Sequence, residues 1–192
     1  MEWLGKKTSL VIILRKIVEF NFRQEKNIIK HRLVVQRGDR VLDLGCGTGE
    51  FSYLFPPESY TGIDIDPSNI AYANRHYKEK QFLIADGRKL PFGQHSFDKI
   101  LVVGILHHLD NTECSEVLGE IKRVLKPGGS VLIMEDTKSD FWLTGLTHRL
   151  DQGAHIRARD DWRRILSSIF KIDLDLPFTS GICRYTAFLL RN

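Results

Sequence analysis

Short apolar runs alternate with helical patterns along most of this 192-residue sequence. Strands that alternate with helices, and that are rich in Val, Ile and Leu, are typical of an α/β domain with a mostly parallel sheet covered on both faces. The apolar runs predict strands at 40–45, 60–66, 81–87, 97–106, 130–136, 171–178 and 183–192, and helical spacing predicts helices at 8–35, 67–80, 111–125 and 160–170. Ligands of such sheets bind beyond the carboxyl ends of the strands, near the point where the strand order reverses.

Length and cysteine content limit the class of protein. A chain of 192 residues with 42% hydrophobic and 27% charged residues suits one globular domain. Cys46, Cys114 and Cys183 are odd in number and widely spaced, which argues against a disulfide framework and fits a reducing compartment. The longest apolar run, 10–14, is far shorter than the ~20 residues of a membrane-spanning helix. We therefore expect a cytoplasmic protein.

The chain has neither an internal repeat nor a low-complexity segment, so we expect a single domain over 1–192. Residues 1–36 are predicted to form an N-terminal helical leader or cap, and 137–159 a lid-like insert. Residues 1–40 hold ten Lys and Arg against four Asp and Glu, whereas the remainder holds 18 against 20. The basic character of the chain therefore belongs to its leader.

The segment VLDLGCGTGEF, 41–51, places three glycines where the first predicted strand ends. Gly45, Gly47 and Gly49 allow positive φ angles and the close approach of a ligand. A helix that begins directly after them would direct free N–H groups at an anion. A dinucleotide fingerprint has Gly or Ala where this chain has Glu50, and no Gly-Lys-Ser/Thr of a P-loop follows. The loop therefore favours a ligand other than a phosphate, and a tight turn without a ligand is the alternative.

A carboxylate stands at the end of the second predicted strand. Asp64 lies 19 residues after Gly45, where it can accept hydrogen bonds from two ribose hydroxyls. The alternative role is a helix cap, which Asp66 beside Pro67 fills better. The two signals together favour a nucleoside with a carboxylate-bearing tail.

From position 40 to about position 136 the sequence resembles the class I S-adenosylmethionine-dependent methyltransferases of the small-molecule type, similar to methyltransferase domain 11. The resemblance rests on Asp43-x-Gly45-x-Gly47-x-Gly49, on Asp64, on ADGRKLPFGQHSFDKI (85–100), on GILHHL (104–109) and on LKPGG (125–129). It implies a Rossmann-like, seven-stranded, mostly parallel sheet with strand order 3-2-1-4-5-7-6, strand 7 antiparallel, and helices on both faces.

The resemblance also implies the cofactor, S-adenosyl-L-methionine, and its product, S-adenosyl-L-homocysteine. The cofactor-binding residues it implies are Asp43, Gly45, Cys46, Gly47, Gly49, Asp64, Ile65, Asp86, Gly87 and Gly104. The glycine loop holds the methionine part, with Asp43 supporting the loop and the amino group, and the Gly104 carbonyl meets the ammonium. Asp64 holds the ribose, and Ile65, Asp86 and Gly87 contact the adenine. A plain strand residue is the alternative for Ile65, and a turn for Asp86 and Gly87.

Methyl transfer from a sulfonium is an in-line displacement, so positioning supplies most of the catalysis. A general base is needed only if the acceptor loses a proton. His107 or His108 is the candidate base, since histidine titrates near neutral pH; the alternative is that both pack and cap this segment. Glu135 and Asp136 end the fifth strand without a histidine at ligand spacing, so we expect no metal.

In proteins of this type the leader and the insert usually build the acceptor pocket. Positive groups of the insert predict an anionic acceptor, with a solvated lid as the alternative; they are His148, Arg149, His155, Arg157 and Arg159. Trp3 and Trp142 are candidates for an apolar wall, whereas Trp162 has the spacing of a core residue. The leader helix, with apolar residues on one side and cations elsewhere, has two interpretations: contact with an anionic membrane, or packing on the sheet over the cofactor.

Two rival functions stay open beside a small-molecule acceptor that is anionic or lipid-like. A nucleic-acid methyltransferase is disfavoured, because the chain lacks both the Asn/Asp-Pro-Pro-Tyr/Phe stretch and the Pro-Cys pair of such enzymes. A non-catalytic S-adenosylmethionine-binding module is the second rival, although the cofactor motifs are intact. The first helix after the glycine loop is predicted to be very short, because Pro56 and Pro57 follow. The sequence contains no signal for the oligomeric state.

Overall fold

The computed structural model describes residues 20–138, 155–181 and 183–192. They form a seven-stranded sheet of order β3-β2-β1-β4-β5-β7-β6, in which only β7 runs antiparallel to its neighbours. The strands are β1 (Val41–Leu44), β2 (Tyr60–Asp64), β3 (Gln81–Ile84), β4 (Phe97–Val103), β5 (Leu125–Asp136), β6 (Lys171–Ser180) and β7 (Cys183–Arg191), and the helices are α1 (Arg23–Arg32), α2 (Pro67–His76), α3 (Asn111–Val124) and α4 (Arg159–Ser167). The predicted fold class and strand order are confirmed.

The register of the central strands brings the carboxyl ends of three strands together. Leu44, the last residue of β1, pairs with Ile63 of β2 on one side and with Val102 of β4 on the other. Asp64 pairs with Ile84 at the end of β3. The chain moves outward from β1 to β3 and then returns to place β4 beside β1, so the strand order reverses at the end of β1. This is the edge at which an α/β sheet binds its ligands.

Each face of the sheet is covered by two helices. On one face, α1 buries Ile28 and Ile29 against the same core as Ile70 of α2. On the other face, α3 packs against the sheet together with α4, where Trp162 is buried as predicted. The buried stripe of α3 consists of Cys114, Val117, Leu118, Ile121 and Val124. Their i, i+3, i+4, i+7 spacing is the reason that the sequence alone locates this helix.

Side-chain caps fix where the helices begin. Asp66 accepts a hydrogen bond from the Ser68 N–H at 2.8 Å with Pro67 in the first turn, so the cap of α2 is Asp66, as predicted, and not Asp64. Asp110 and Glu113 form a reciprocal capping box at the start of α3.

Some of the predicted helices have different bounds in the structure. The backbone of Asn21 and Phe22 is left-handed, with φ of 58° and 56°, so α1 begins only at Arg23, and it ends at Arg32. The single helix predicted over 8–35 is therefore wrong within the described residues; 8–19 lie outside them. The helix predicted over 67–80 ends at His76. After the glycine loop the chain forms only two 3-10 turns, Ser52–Leu54 and Pro57–Ser59. The glycine loop is thus not followed by an α-helix whose dipole could hold an anion.

Candidate functional site

A cavity of about 360 Å³ lies at the edge where the strand order reverses. It is lined by Leu44, Gly45, Ile63, Asp64, Ile65, Ala85, Asp86, Gly87, Arg88, Ile105, His108, Leu109, Glu113 and Val117. These residues come from the ends of β1, β2 and β3, from the segment after β4, and from α3. Six of them are site residues predicted from the sequence: Gly45, Asp64, Ile65, Asp86, Gly87 and His108.

The glycine loop adopts a conformation that L-amino acids with a side chain rarely take. Gly45, Gly47 and Gly49 have φ angles of +75°, +53° and +81°. A Cβ atom on Gly45 would lie 2.3 Å from Cγ2 of Ile105, whereas a Cβ on Gly47 would meet no atom within 4 Å. The loop thus needs glycine at its first position for packing, and it leaves open space above Gly47 for the close approach of a ligand.

The backbone of the glycine loop is tied to β2. The N–H groups of Gly45 and Cys46 both donate to the carbonyl of Ile63, at 2.9 and 2.8 Å. The side chain of Cys46 is buried, and burial raises the pKa of its thiol far above the ordinary range, so the thiol is not a nucleophile. At this loop Cys46 is therefore available to a ligand through its backbone and not through its thiol.

Asp64 joins the end of β2 to the glycine loop. Its Oδ2 accepts a hydrogen bond from the Gly47 N–H at 2.9 Å, and its Oδ1 accepts from the Asp66 N–H at 2.8 Å and from the Asn69 side chain at 3.3 Å. An ionised carboxylate offers about four acceptor positions, so Asp64 keeps capacity for a ligand hydroxyl. Beside it, the apolar side chain of Ile65 is 63% exposed at the cavity wall.

Asp86 is engaged by a neighbouring cation. Its Oδ2 lies 2.7 Å from a guanidinium nitrogen of Arg88, which also contacts Glu113 at 2.9 Å, and its Oδ1 accepts the Arg88 N–H. These hydrogen bonds from Arg88 hold the pKa of the Asp86 carboxyl below its ordinary value. Asp86 and Gly87 therefore do form a turn, and they also line the cavity.

Asp43 lies beneath the glycine loop and outside the cavity lining. It is buried, and the Tyr60 hydroxyl donates a hydrogen bond to its Oδ2 at 2.7 Å. Burial raises the pKa of Asp43 from 3.8 to about 7; the hydrogen bond from Tyr60 opposes this shift, and the nearby charge of Asp64 adds to it. Burial thus favours the protonated form of Asp43.

The raised pKa of Asp43 predicts that stability falls as pH rises. Its pKa in the folded chain, about 7, lies above the value of 3.8 in the unfolded chain, so the folded state binds this proton more tightly. The stabilisation is complete below about pH 4 and is lost as pH rises through about 7. Each unit of difference between the folded and unfolded pKa contributes about 1.4 kcal/mol to the free energy of unfolding. Chemical denaturation between pH 4 and pH 8 tests this: Asp43→Asn should give a flatter profile than the wild type, and Tyr60→Phe should move the loss to higher pH. Parallel profiles for all three proteins would contradict the assignment.

The segment after β4 carries the second wall of the cavity. Gly104 is left-handed, with φ +65°, and its N–H donates to the Met134 carbonyl at 2.9 Å. His107 is fully buried, and its Nδ1 lies 2.7 Å from Oε2 of Glu135. His108 is exposed and lines the cavity. Of the two histidines proposed as bases, only His108 therefore faces the cavity, and the packing alternative describes His107.

A buried glutamate and a buried arginine hold this segment from two sides. Glu135 accepts the N–H groups of Ile105, Leu106 and His107 at 3.2, 2.9 and 3.2 Å. Arg157 donates to the carbonyls of Leu106 and Leu109 at 3.2 and 2.9 Å, and to the Asn111 side chain at 2.9 Å. We call this arrangement the Glu135–Arg157 clamp. It positions Ile105, His108 and Leu109 at the cavity wall.

The clamp changes the interpretation of the insert. Arg157 is buried and stacks on the Trp162 ring at 4.8 Å, whereas Arg159 is exposed and lies 2.8 Å from Asp175. Both of these expected anion-binding cations are therefore already engaged by groups of the protein. His155 is exposed, and its N–H donates to the His107 carbonyl at 2.9 Å. His148, Arg149, Trp3 and Trp142 lie outside the described residues. Within the part of the chain that the structure describes, no group of three or more His, Cys, Asp or Glu is arranged to hold a metal.

Comparison with known proteins gives the same class as the geometry. The model of the family described as "Methyltransferase domain" matches residues 42–133. A demethylmenaquinone methyltransferase of Thermotoga maritima is 32% identical over 130 residues, which are 64% of this chain and 55% of that protein. A tRNA (carboxymethyluridine(34)-5-O)-methyltransferase of Arabidopsis thaliana is 35% identical over 97 residues, which are 50% of this chain and 24% of that protein. The chain thus spans about a quarter to a half of these relatives.

The same fold recurs in solved structures. A SAM-dependent methyltransferase from Aquifex aeolicus superimposes with a TM-score of 0.72 at 18% identity, covering 96% of this chain and 98% of that one. Residues 42–133 thus belong to the methyltransferase-domain family, and the chain has the fold of the class I S-adenosylmethionine-dependent methyltransferases. Its cofactor is S-adenosylmethionine. The residues present fit this group, since the cavity has a carboxylate at Asp64 and an exposed apolar side chain at Ile65, and the adjoining loop leaves open space at Gly47.

Proposed function

We propose that this domain transfers a methyl group from S-adenosylmethionine to a small-molecule acceptor. The observation that carries the proposal is the cavity at the strand reversal, with a left-handed glycine loop on one side and Asp64 beside it. When bound, the cofactor supplies an electrophilic methyl group on a sulfonium. The similarity to the demethylmenaquinone methyltransferase of Thermotoga maritima supports a small-molecule acceptor.

The residues in and around the cavity take the following roles in this proposal. The backbone of Gly45, Cys46, Gly47 and Gly49 cradles the methionine part, with Asp43 supporting the loop from below and the Gly104 carbonyl facing the ammonium. Asp64 accepts hydrogen bonds from the ribose hydroxyls. Ile65, Asp86 and Gly87 contact the adenine, and the ion pair with Arg88 keeps Asp86 ionised as an acceptor.

Catalysis in this proposal comes mainly from holding the acceptor in line with the methyl group, an effect worth up to ~7–11 kcal/mol in well-oriented systems. The Glu135–Arg157 clamp supports it by fixing the segment that carries His108. If the acceptor loses a proton, His108 is the better candidate of the two histidines to receive it, because it lines the cavity whereas the ring of His107 is turned to Glu135.

Calorimetric titration with S-adenosylmethionine and S-adenosylhomocysteine tests the cofactor site. Asp64→Ala should weaken binding by about 1.5–3 kcal/mol, the cost of losing a hydrogen bond to a charged group. The matched control is Asp66→Ala, which removes a cap outside the cavity and should lower the free energy of unfolding by about 1 kcal/mol while leaving affinity near wild type.

The acceptor is tested by methyl transfer from isotope-labelled S-adenosylmethionine. We expect label in small acidic or lipid-like acceptors and none in tRNA. If the wild-type protein does not bind S-adenosylmethionine, the methyltransferase proposal is wrong, and a non-catalytic module becomes the leading hypothesis. Transfer to tRNA alone would establish the nucleic-acid alternative instead.

A further inference from the structure

A second concavity lies beyond the other end of the glycine loop. It has a volume of about 960 Å³, and we call it the basic groove. It is lined by Asn21, Arg23, Gln24, Lys26, Asn27 and Lys30 of the α1 region, by Tyr53, and by Thr179 and Gly181 of the turn between β6 and β7. The side chains from α1 recur at i, i+3, i+4 and i+7, so one face of the helix forms a wall of the groove.

The basic groove opens at the same edge of the sheet as the cofactor cavity. β7 runs antiparallel to β5 and pairs Tyr185 with Asp136, so the turn between β6 and β7 lies beyond the carboxyl end of β5. The segment 45–53 has the cavity at its first residue and the groove at its last. Lys26 Nζ, 2.8 Å from Oε1 of Glu50, fixes α1 against this segment. A molecule in the groove therefore lies beside the loop that holds the cofactor.

The charge of the groove is positive. The ammonium of Lys26 is paired with Glu50 and lies 5.5 Å from the centre of the Tyr53 ring. Arg23 and Lys30 are exposed and form no salt bridge with any residue in the described ranges. The lining residues that the structure describes include no Asp or Glu. Two cations that have no acidic partner among the described residues therefore face one concave surface.

We propose that the basic groove binds the carboxylate or phosphate of the methyl acceptor, through Arg23 and Lys30. This inference rests on the proposed function and names the class of its substrate. The guanidinium of Arg23 presents a planar pair of donors that matches a carboxylate or phosphate, and Lys30 adds a point charge. The Tyr53 ring, 52% exposed, offers an apolar surface for the remainder of the acceptor. The anion-binding role moves from the insert to α1, because the clamp and Asp175 hold Arg157 and Arg159.

Ligand-observed NMR with small anions tests the groove. The probes are phenyl phosphate and benzoate, with benzamide as the uncharged comparison, each added to protein saturated with S-adenosylhomocysteine. Arg23→Gln/Lys30→Gln should weaken binding of both anions at least tenfold. The control Arg32→Gln/Arg37→Gln removes the same charge from exposed positions outside the groove lining and should bind the anions as the wild type does.

The outcomes separate this inference from the proposed function. The groove is not an anion site if both double variants bind the anions equally well, or if benzamide binds as tightly as the anions do. In either case the proposed function still stands, provided that the protein binds S-adenosylhomocysteine. Wild-type protein that binds the anions but not S-adenosylhomocysteine overturns the proposed function and the acceptor role. A third outcome is that the wild type binds neither small anion but sediments with phosphatidylglycerol vesicles, and that Arg23→Gln/Lys30→Gln does not sediment with them. This outcome identifies a membrane contact and also overturns the proposal.

Discussion

Replacing Gly45 with alanine is expected to abolish measurable S-adenosylhomocysteine binding. The new Cβ would lie 2.3 Å from Cγ2 and 3.3 Å from Cβ of Ile105, and a β-branched side chain has little rotamer freedom to move away. The φ of +75° adds about 1–2 kcal/mol of backbone strain for a residue with a side chain. Because Ile105 is itself part of the cavity wall, both the loop and the wall must shift.

The Gly45→Ala result is measured by calorimetry together with thermal unfolding. Gly119→Ala is the matched control, since Gly119 lies on the exposed face of α3 and a Cβ there meets no atom within 4 Å. It should raise the free energy of unfolding by about 0.5–1 kcal/mol through helix propensity and leave binding intact. A Gly45→Ala protein with wild-type affinity would show that the glycine loop does not hold the cofactor.

Breaking the Glu135–Arg157 clamp is expected to have the largest effect on stability. Glu135→Gln removes the charge that faces three backbone N–H groups and His107, and directs an amide donor at some of them. Loss of one partner of a buried ionic network costs about 3–5 kcal/mol. Arg157→Gln should cost a similar amount, because it leaves the carbonyls of Leu106 and Leu109 without their donor.

The control for the clamp is Glu120→Gln. Glu120 also accepts a backbone N–H, that of Leu90 at 2.7 Å, and pairs with Arg123, but it is partly exposed and lies outside the cavity lining. We expect it to cost about 1 kcal/mol, as is typical for one hydrogen bond. Chemical denaturation gives the stabilities, and titration under folding conditions gives cofactor affinity, which only the clamp variants should lower. Equal losses for Glu135→Gln and Glu120→Gln would refute the positioning role of the clamp.

The strands and helices were predictable from the sequence where a hydrophobic periodicity, or a helix-breaking Pro or Gly, marks them. The alternation of buried strands with amphipathic helices fixed the fold class, and α3 was found because its five buried residues follow one helical stripe. The helix prediction was wrong at Asn21 and Phe22, because their left-handed backbone interrupts an apolar pattern that is continuous in the sequence. The prediction of a very short segment after the glycine loop agrees with the 3-10 turn at Ser52–Leu54, since Pro56 and Pro57 follow directly.

The candidate cofactor site was predictable because its parts are local in the chain. The glycine loop, Asp64 and the Asp86–Gly87 turn each directly follow a strand, and parallel strands bring those ends to one edge. The sequence by itself therefore determined the sheet, its ligand-binding edge and the position of the glycine loop at that edge.

Only the tertiary structure decided which polar groups meet in the interior. Glu135 reaches His107 across 28 positions of the chain, and Arg157 reaches Leu106 across 51, and no local pattern pairs them. The same holds for the basic groove, which needs α1, the segment after the glycine loop and the turn between β6 and β7 to come together. The physical reason is that a buried charge requires a partner, and burial depends on the whole fold. The sequence shows the charged residues, but it does not show which of them pair in the interior and which face a ligand.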